Sequence, residues 1–197
     1  MATIPQHRLG IALTDDDLKA LGAVVACWAH SESIMRGVLT FFHAHPSVAA
    51  TIVPTEDIYS FKGKRKNWNK TVRLVCAGSP VFLELGIFLS VRGNDLQDVR
   101  DKACHWAGTR AVKGPDEQVH FTNFATAETA ALTTAALWAA AKDIHEWGAM
   151  LGMYGVLIGF DLMPPSLDTR SGERPPYMSE ALLRYRSRYP NVDFASH

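Results

Sequence analysis

The sequence predicts an all-α protein: a four- to five-helix bundle with a small loop or hairpin insertion and a C-terminal arm. Three observations lead there. Apolar residues recur at alternating spacings of three and four over long stretches. Helix-starting and helix-stopping residues fall at the ends of those stretches. Only one short region, around residues 108–123, has the texture of strands.

The first helix starts at Thr14, where a capping hydroxyl precedes Asp15, Asp16 and Asp17, acids that face the positive end of the helix dipole. Leu18, Leu21, Val25, Trp28, Glu32, Met35, Leu39 and Phe42 then form a heptad-like seam ending near His45-Pro46. Residues 47–60 read as a short helix or loop with a turn at Pro54. A basic helix follows from about Ser60 to Cys76 and stops at Gly78-Ser79-Pro80. Pro80 suits the first turn of the next helix, with Ser79 as its cap. Leu85, Phe88, Leu89, Leu96, Val99 and Ala103 supply that helix's apolar stripe, and Gly93-Asn94 is a candidate kink.

Gly108 to Asn123 holds Gly114-Pro115-Asp116 between short runs containing Val112, Val119 and Phe121, the pattern of a small hairpin or irregular loop. Thr126-Ala127-Glu128-Thr129 opens a long alanine-rich helix that becomes strongly apolar after Gly148. Pro164, Pro165, Pro175 and Pro176 interrupt regular structure beyond Met163, leaving Ser179–Arg188 as one short amphipathic helix. The expected organisation is a helical domain over 1–163 and a proline-containing arm over 164–197.

Composition narrows the function. The 197 residues are 47% apolar and 20% charged, ordinary for a globular protein, with one substantial core. Lysine plus arginine equals aspartate plus glutamate at 20 each, so polyanion binding has to come from local clustering. Cys27, Cys76 and Cys104 are odd in number and lack a C-x-x-C unit, which favours core residues in a reducing cytoplasm over a disulfide frame or zinc site. The first ten residues lack a signal-peptide apolar core. The uncharged run Trp147–Phe160 falls short of the roughly 18–20 residues of a membrane-spanning helix. A cytoplasmic protein is expected, with neither membrane insertion nor a cofactor.

Arg100 and His105 are the pair best suited to chemistry. A guanidinium can hold a phosphate oxygen bidentately, and an imidazole can move protons near neutral pH. Asp101 lies four residues before His105, so on a continuous helix its carboxylate can orient the ring. Arg100 lies five before, about 140° around an ideal helix. The pair can meet one substrate only if the helix ends or distorts near Cys104. The bland alternative is a C-terminal histidine favoured by the helix dipole beside an arginine in a surface ion pair.

Glu32 interrupts the first helix's apolar seam. A buried carboxylate needs a partner, and Arg36, Arg92 and Arg100 are the candidates. In the sharper reading Glu32 holds an arginine of the motif helix. In the blander one it makes a surface ion pair near a helix crossing.

The segment Arg100-Asp101-x3-His105 at the end of a core helix resembles the motif of the HEPN superfamily, all-α domains with Arg-x4–6-His. The order of elements over residues 14–160 is similar as well: a long first helix with an embedded glutamate, a basic helix, the motif helix and a long closing helix. The resemblance implies a homodimer in which two motifs meet in a cleft. It also implies metal-independent RNA cleavage in toxin–antitoxin, antiphage-defence or RNA-processing roles. Arg100 and His105 would then be catalytic, with Asp101 and Glu32 in support. Many relatives place glycine directly after the histidine, whereas this chain has Trp106-Ala107-Gly108. Other relatives are non-catalytic binding or scaffold domains.

Lys62, Lys64, Arg65, Lys66, Lys70 and Arg73 form a cluster with no acid between Ile58 and Leu83, and Trp68 sits among them. Basic residues interleaved with an aromatic suit an RNA phosphate track with a stacking platform. The alternative is a solvated helix face with Trp68 in the core. His30, Glu32, His43 and His45 lack zinc-motif spacing, and Cys104 reads as a small core residue. The rival to a nuclease is a non-catalytic helical interaction module, an antitoxin-like or scaffold partner, using Gly152–Val156 and the tail for protein contact.

Overall fold

The computed structural model describes residues 13–44, 46–50, 59–78, 80–106, 111–113, 118–123 and 126–162. The turn at Pro54, the Ser79 cap, Gly114-Pro115-Asp116 and the arm from 164 onward lie outside these residues. The protein is mostly helical. In chain order the elements are α1 (Asp15–His43), α2 (Pro46–Ala49), α3 (Phe61–Val75), α4 (Pro80–Asp101), a π-helical turn (Lys102–Trp106), β1 (Ala111–Lys113), β2 (Gln118–Thr122), β3 (Thr129–Thr133) and α5 (Thr134–Leu162). Contacts cluster into two compact units, one comprising Met1–Ile34 and Arg92–Ala149, the other Met35–Val91 and Met150–His197. The long helices α1, α4 and α5 contribute residues to each.

In the first unit, α1 begins with a reciprocal cap. The Thr14 hydroxyl oxygen accepts the Asp17 N–H at 3.2 Å, and Asp17 Oδ2 accepts the Thr14 N–H at 2.9 Å and the Thr14 hydroxyl at 2.7 Å. Asp17 is fully buried, and its Oδ1 accepts the Thr134 hydroxyl, which ties the start of α1 to the start of α5. A buried carboxylate satisfied on both oxygens is tolerated where an unsatisfied one is not.

The buried face of α1 is not the strict heptad seam. Leu18 and Val25 are exposed, whereas Ala20, Val24, Ser31 and Val38 are buried beside Leu21, Trp28, Met35, Leu39 and Phe42. The physical reason is phase: Asp17, Leu21, Val24, Trp28, Ser31, Met35, Val38 and Phe42 are buried at alternating spacings of four and three, so the row flanking Leu21, Trp28, Met35 and Phe42 lies one position earlier than the expected seam. Ser31, not Glu32, therefore enters the core, where its hydroxyl donates to the Ile144 carbonyl at 2.9 Å. A Cβ on Gly148 would lie 2.3 Å from that hydroxyl oxygen, so only glycine allows this approach of α5 to α1. One turn away, Trp28 and Trp147 stack with centroids 5.4 Å apart.

The region expected as a small hairpin is a three-stranded antiparallel sheet of order β1-β2-β3. Val119 pairs with Lys113 and Leu132, and Phe121 with Ala111 and Ala130. Val119 and Phe121 are buried, as the two-residue period of a strand requires. The helix expected from Thr126 starts later. Residues Thr129–Thr133 are β3, and the Thr133 hydroxyl caps α5 by accepting the Ala136 N–H at 3.0 Å. Alanine content favours helix, but pairing with β2 and a threonine cap further on decide the boundary.

In the second unit, Ser60 caps α3 by accepting the Gly63 N–H at 3.0 Å. Its apolar face buries Phe61, Trp68 and Val72, with Asn67 and Thr71. Tyr154 of α5 is the polar centre of this core. Its hydroxyl donates to the Phe82 carbonyl at 2.9 Å, which leaves its oxygen to accept from the Cys76 thiol at 3.3 Å. Burial pushes the Tyr154 phenol well above its ordinary range, so it stays protonated. Trp68 packs against it at 5.5 Å between centroids. The apolar run of α5 buries Leu151, Tyr154, Leu157 and Ile158 and exposes Met153 and Val156. Among the described residues no helix is long and apolar enough to cross a membrane.

His43 shares a hydrogen bond with Thr71 (Nε2 to Oγ1, 3.1 Å), and burial lowers its pKa below 6.5. The unfolded chain therefore takes up this proton at a higher pH than the folded protein. Stability from this site is intact above about pH 6.5 and falls as pH drops toward the lowered folded value. Melting curves at about pH 7.5 and about pH 5.5 should show a smaller acid-induced loss in His43→Gln than in the native sequence. Equal losses in the two would count against the assignment.

Candidate functional site

Arg100 closes the last α-helical turn of α4, and His105 lies in the π turn that follows. A π turn is closed by hydrogen bonds from i to i+5, so residues five apart return to nearly one face. The Arg100 guanidinium accordingly stands 3.1 Å from His105 (NH1 to Nε2). The distortion that the five-residue spacing demands is thus a feature of the backbone. NH1 can only donate, so Nε2 is placed as the acceptor in this contact.

The same NH1 donates to Asp101 Oδ1 at 2.6 Å, and Asp101 Oδ2 accepts from Gln97 Nε2 at 3.2 Å, one turn back on α4. The sequence assigns Asp101 to orienting the imidazole. Instead the carboxylate holds the arginine: Asp101 Oδ1 is 3.9 Å from His105 Nε2, beyond hydrogen-bonding range. The widened turn carries the ring toward the guanidinium and away from the carboxylate.

A second constraint comes from α1. Arg100 Cζ lies 5.2 Å from the centre of the Trp28 ring, which itself stacks on Trp147. The guanidinium is mostly covered, with its side chain 18% exposed, whereas His105 is 64% exposed. Arg100 Nε is buried and makes no hydrogen bond among the described residues. The outcome is a fixed, partly desolvated cation beside an imidazole open to solvent. Such a cation interacts more strongly with an arriving anion than one in bulk water.

Glu32 is half-buried on α1, one turn beyond Trp28. The motif arginine is held by Asp101 and by the Trp28 ring. Arg92, another candidate partner for Glu32, pairs with Asp143 at 2.7 Å. Lys102 pairs with Asp98 one turn earlier. Trp28 and Gln97 are the site residues that the sequence reading passes over. Gln97 was visible as an i–4 neighbour of Asp101, but the Trp28 contact joins distant parts of the chain and left no local signal.

The basic cluster belongs to the second unit. Lys62, Lys66, Lys70 and Arg73 are exposed on α3, and Lys64 and Arg65 are half-buried. Trp68 is fully buried and its indole N–H donates to the Gly86 carbonyl at 2.8 Å, so it is a core residue rather than a stacking platform. It lies on the helix face shared by Phe61 and Val72, opposite the exposed lysines. His30 is exposed, and His45 lies outside the described residues. Among the described residues no three His, Cys, Asp or Glu side chains converge as metal ligands would. Cys104 lies in the π turn, its side chain outside the described set.

A separate apolar groove of about 360 Å³ runs between α1 and α5 in the second unit, lined by Gly37, Val38, Phe41, Gly152, Gly155, Val156 and Gly159. Comparison with protein-family models, curated proteins and solved structures gives no match.

Proposed function

We propose that this chain is a HEPN-like helical protein that acts in the cytoplasm as a homodimeric, metal-independent endoribonuclease of a toxin or antiphage-defence system. The observation that carries the reading is the 3.1 Å approach of a fixed guanidinium to an exposed imidazole. A phosphodiester oxygen arriving at Arg100 replaces His105 as the acceptor of NH1 and frees Nε2 to take a proton. His105 then takes the proton of the RNA 2′-hydroxyl, whose oxygen attacks the adjacent phosphorus and expels the 5′-oxygen, which takes up a proton from solvent. Arg100 stabilises the charge that develops on the phosphoryl oxygens, an interaction whose loss typically costs about 100- to 1,000-fold in rate. The products are a 2′,3′-cyclic phosphate and a 5′-hydroxyl.

The test is incubation of purified protein with a mixed RNA pool in EDTA, with products resolved by their end groups. The native sequence should generate cyclic phosphate ends. His105→Ala should lose cleavage while keeping its melting temperature. Undiminished cleavage by that variant removes the mechanism.

One observation favours a second reading, a non-catalytic interaction module. Phe41 and Val156 are exposed at the glycine-lined groove, and such apolar surface suits a second copy of this chain or an antitoxin-like partner. An RNA-inert protein whose self-association is lost in Val156→Glu would favour the module over the nuclease.

A further inference from the structure

On α3 the exposed cations are not scattered. Lys62, Lys66, Lys70 and Arg73 follow one another at spacings of four, four and three residues, which places them on a single stripe. At the rise of an α-helix the stripe is about 16 Å long, with a positive charge every 4.5–6 Å or so. That interval spans one to two phosphate steps of a nucleic-acid strand, which carries a charge about every 3.4 Å along its axis. No acid lies between Ile58 and Leu83 to neutralise the stripe. The opposite face of α3 is engaged in the core through Phe61, Trp68 and Val72. The helix therefore cannot turn an apolar face to a bilayer as a membrane-surface helix does.

An aromatic is available, though not the one inside the cluster. Tyr59 stands immediately before the Ser60 cap, 84% exposed, while its backbone carbonyl accepts from Lys64 Nζ at 3.0 Å. A planar ring at the head of a cationic stripe is the pairing that binds single strands, whose unpaired bases can stack.

We propose that α3 and Tyr59 form a binding surface for single-stranded polynucleotide, with Lys62, Lys66, Lys70 and Arg73 on successive phosphates and Tyr59 stacked on one base. The surface reads no base edges, so binding is independent of sequence. The proposal is separate from the cleavage reading, since it requires neither Arg100 nor His105.

Fluorescence anisotropy with a labelled oligouridylate, in the His105→Ala background so that the probe is not consumed, tests it. For four phosphates the logarithm of affinity should fall against the logarithm of salt concentration with a slope of about −3. Each single change, Lys62→Gln, Lys66→Gln, Lys70→Gln or Arg73→Gln, should flatten that slope by about 0.7, and the fourfold variant should bind negligibly. Tyr59→Ala should weaken binding by about five- to 150-fold with the slope unchanged. Binding unaffected by the fourfold variant would overturn the proposal. So would duplex bound as tightly as single strand, or phosphatidylserine vesicles bound in preference to the oligonucleotide. Because binding and end-group chemistry are read separately, failure of one leaves the other standing.

Discussion

Trp28→Ala should destabilise the protein by about 3–5 kcal/mol, the usual range for removing a buried aromatic. The side chain is 2% exposed and has two roles at once. Its stack on Trp147 at 5.4 Å adds about 0.5–1.5 kcal/mol beyond the area it buries. Its contact with Arg100 adds up to about 2 kcal/mol for a desolvated cation. These contributions overlap within the truncation cost and are not to be summed. Urea unfolding followed by far-ultraviolet circular dichroism measures the loss, and Trp28→Phe should retain a good part of the stability by keeping an aromatic face under the guanidinium. A loss below about 1 kcal/mol in the alanine variant would mean that the Trp28–Trp147–Arg100 stack contributes little. If the cleavage reading holds, Trp28→Phe also tests the seat of the arginine, because a looser guanidinium lowers turnover more than substrate affinity.

Gly86→Ala should be destabilising even though alanine is the better helix former. Propensity alone favours the substitution by about 1 kcal/mol in a helix interior. Against it, the added Cβ would lie 2.3 Å from the Tyr154 hydroxyl oxygen and 2.5 Å from Val72 Cγ1. Neither group can retreat cheaply. The phenol is held by the Phe82 carbonyl and the Cys76 thiol, and Val72 is fully buried. Overpacking of this kind costs about 1–3 kcal/mol or more, so the clash prevails. Moving α4 outward would also stretch the Trp68 hydrogen bond to the Gly86 carbonyl. A lowered melting temperature in Gly86→Ala, partly restored when Tyr154→Phe removes the hydroxyl, is the expected pattern. A melting temperature at or above the native value would show that this approach is not tight.

What could be read in advance followed local signals. The Thr14 cap with its acids marked the start of α1, Ser60 and Pro80 lie at the starts of α3 and α4, and the five-residue Arg–His spacing demanded the distortion that became the π turn. Features that depend on distant partners were not legible. Thr129–Thr133 reads as alanine-rich helix until β2 is beside it. The heptad reading placed Leu18 and Val25 in the core because two seams share Leu21, Trp28, Met35 and Phe42, and which flanking row is buried is set by the packing partner. Trp68 looked like part of a binding surface because lysines flank it in sequence, whereas on the helix they point away from it. The seat of Arg100 on Trp28 joins residues 72 positions apart by number, with no pattern to announce it.

The π turn makes this site depend on backbone geometry as well as on side-chain identity. Were the same residues to close as ordinary α-helix, the imidazole would swing about 140° away from the guanidinium, although every functional group would still be present. Two sequences with the same arginine and histidine can therefore differ in whether those groups meet in space.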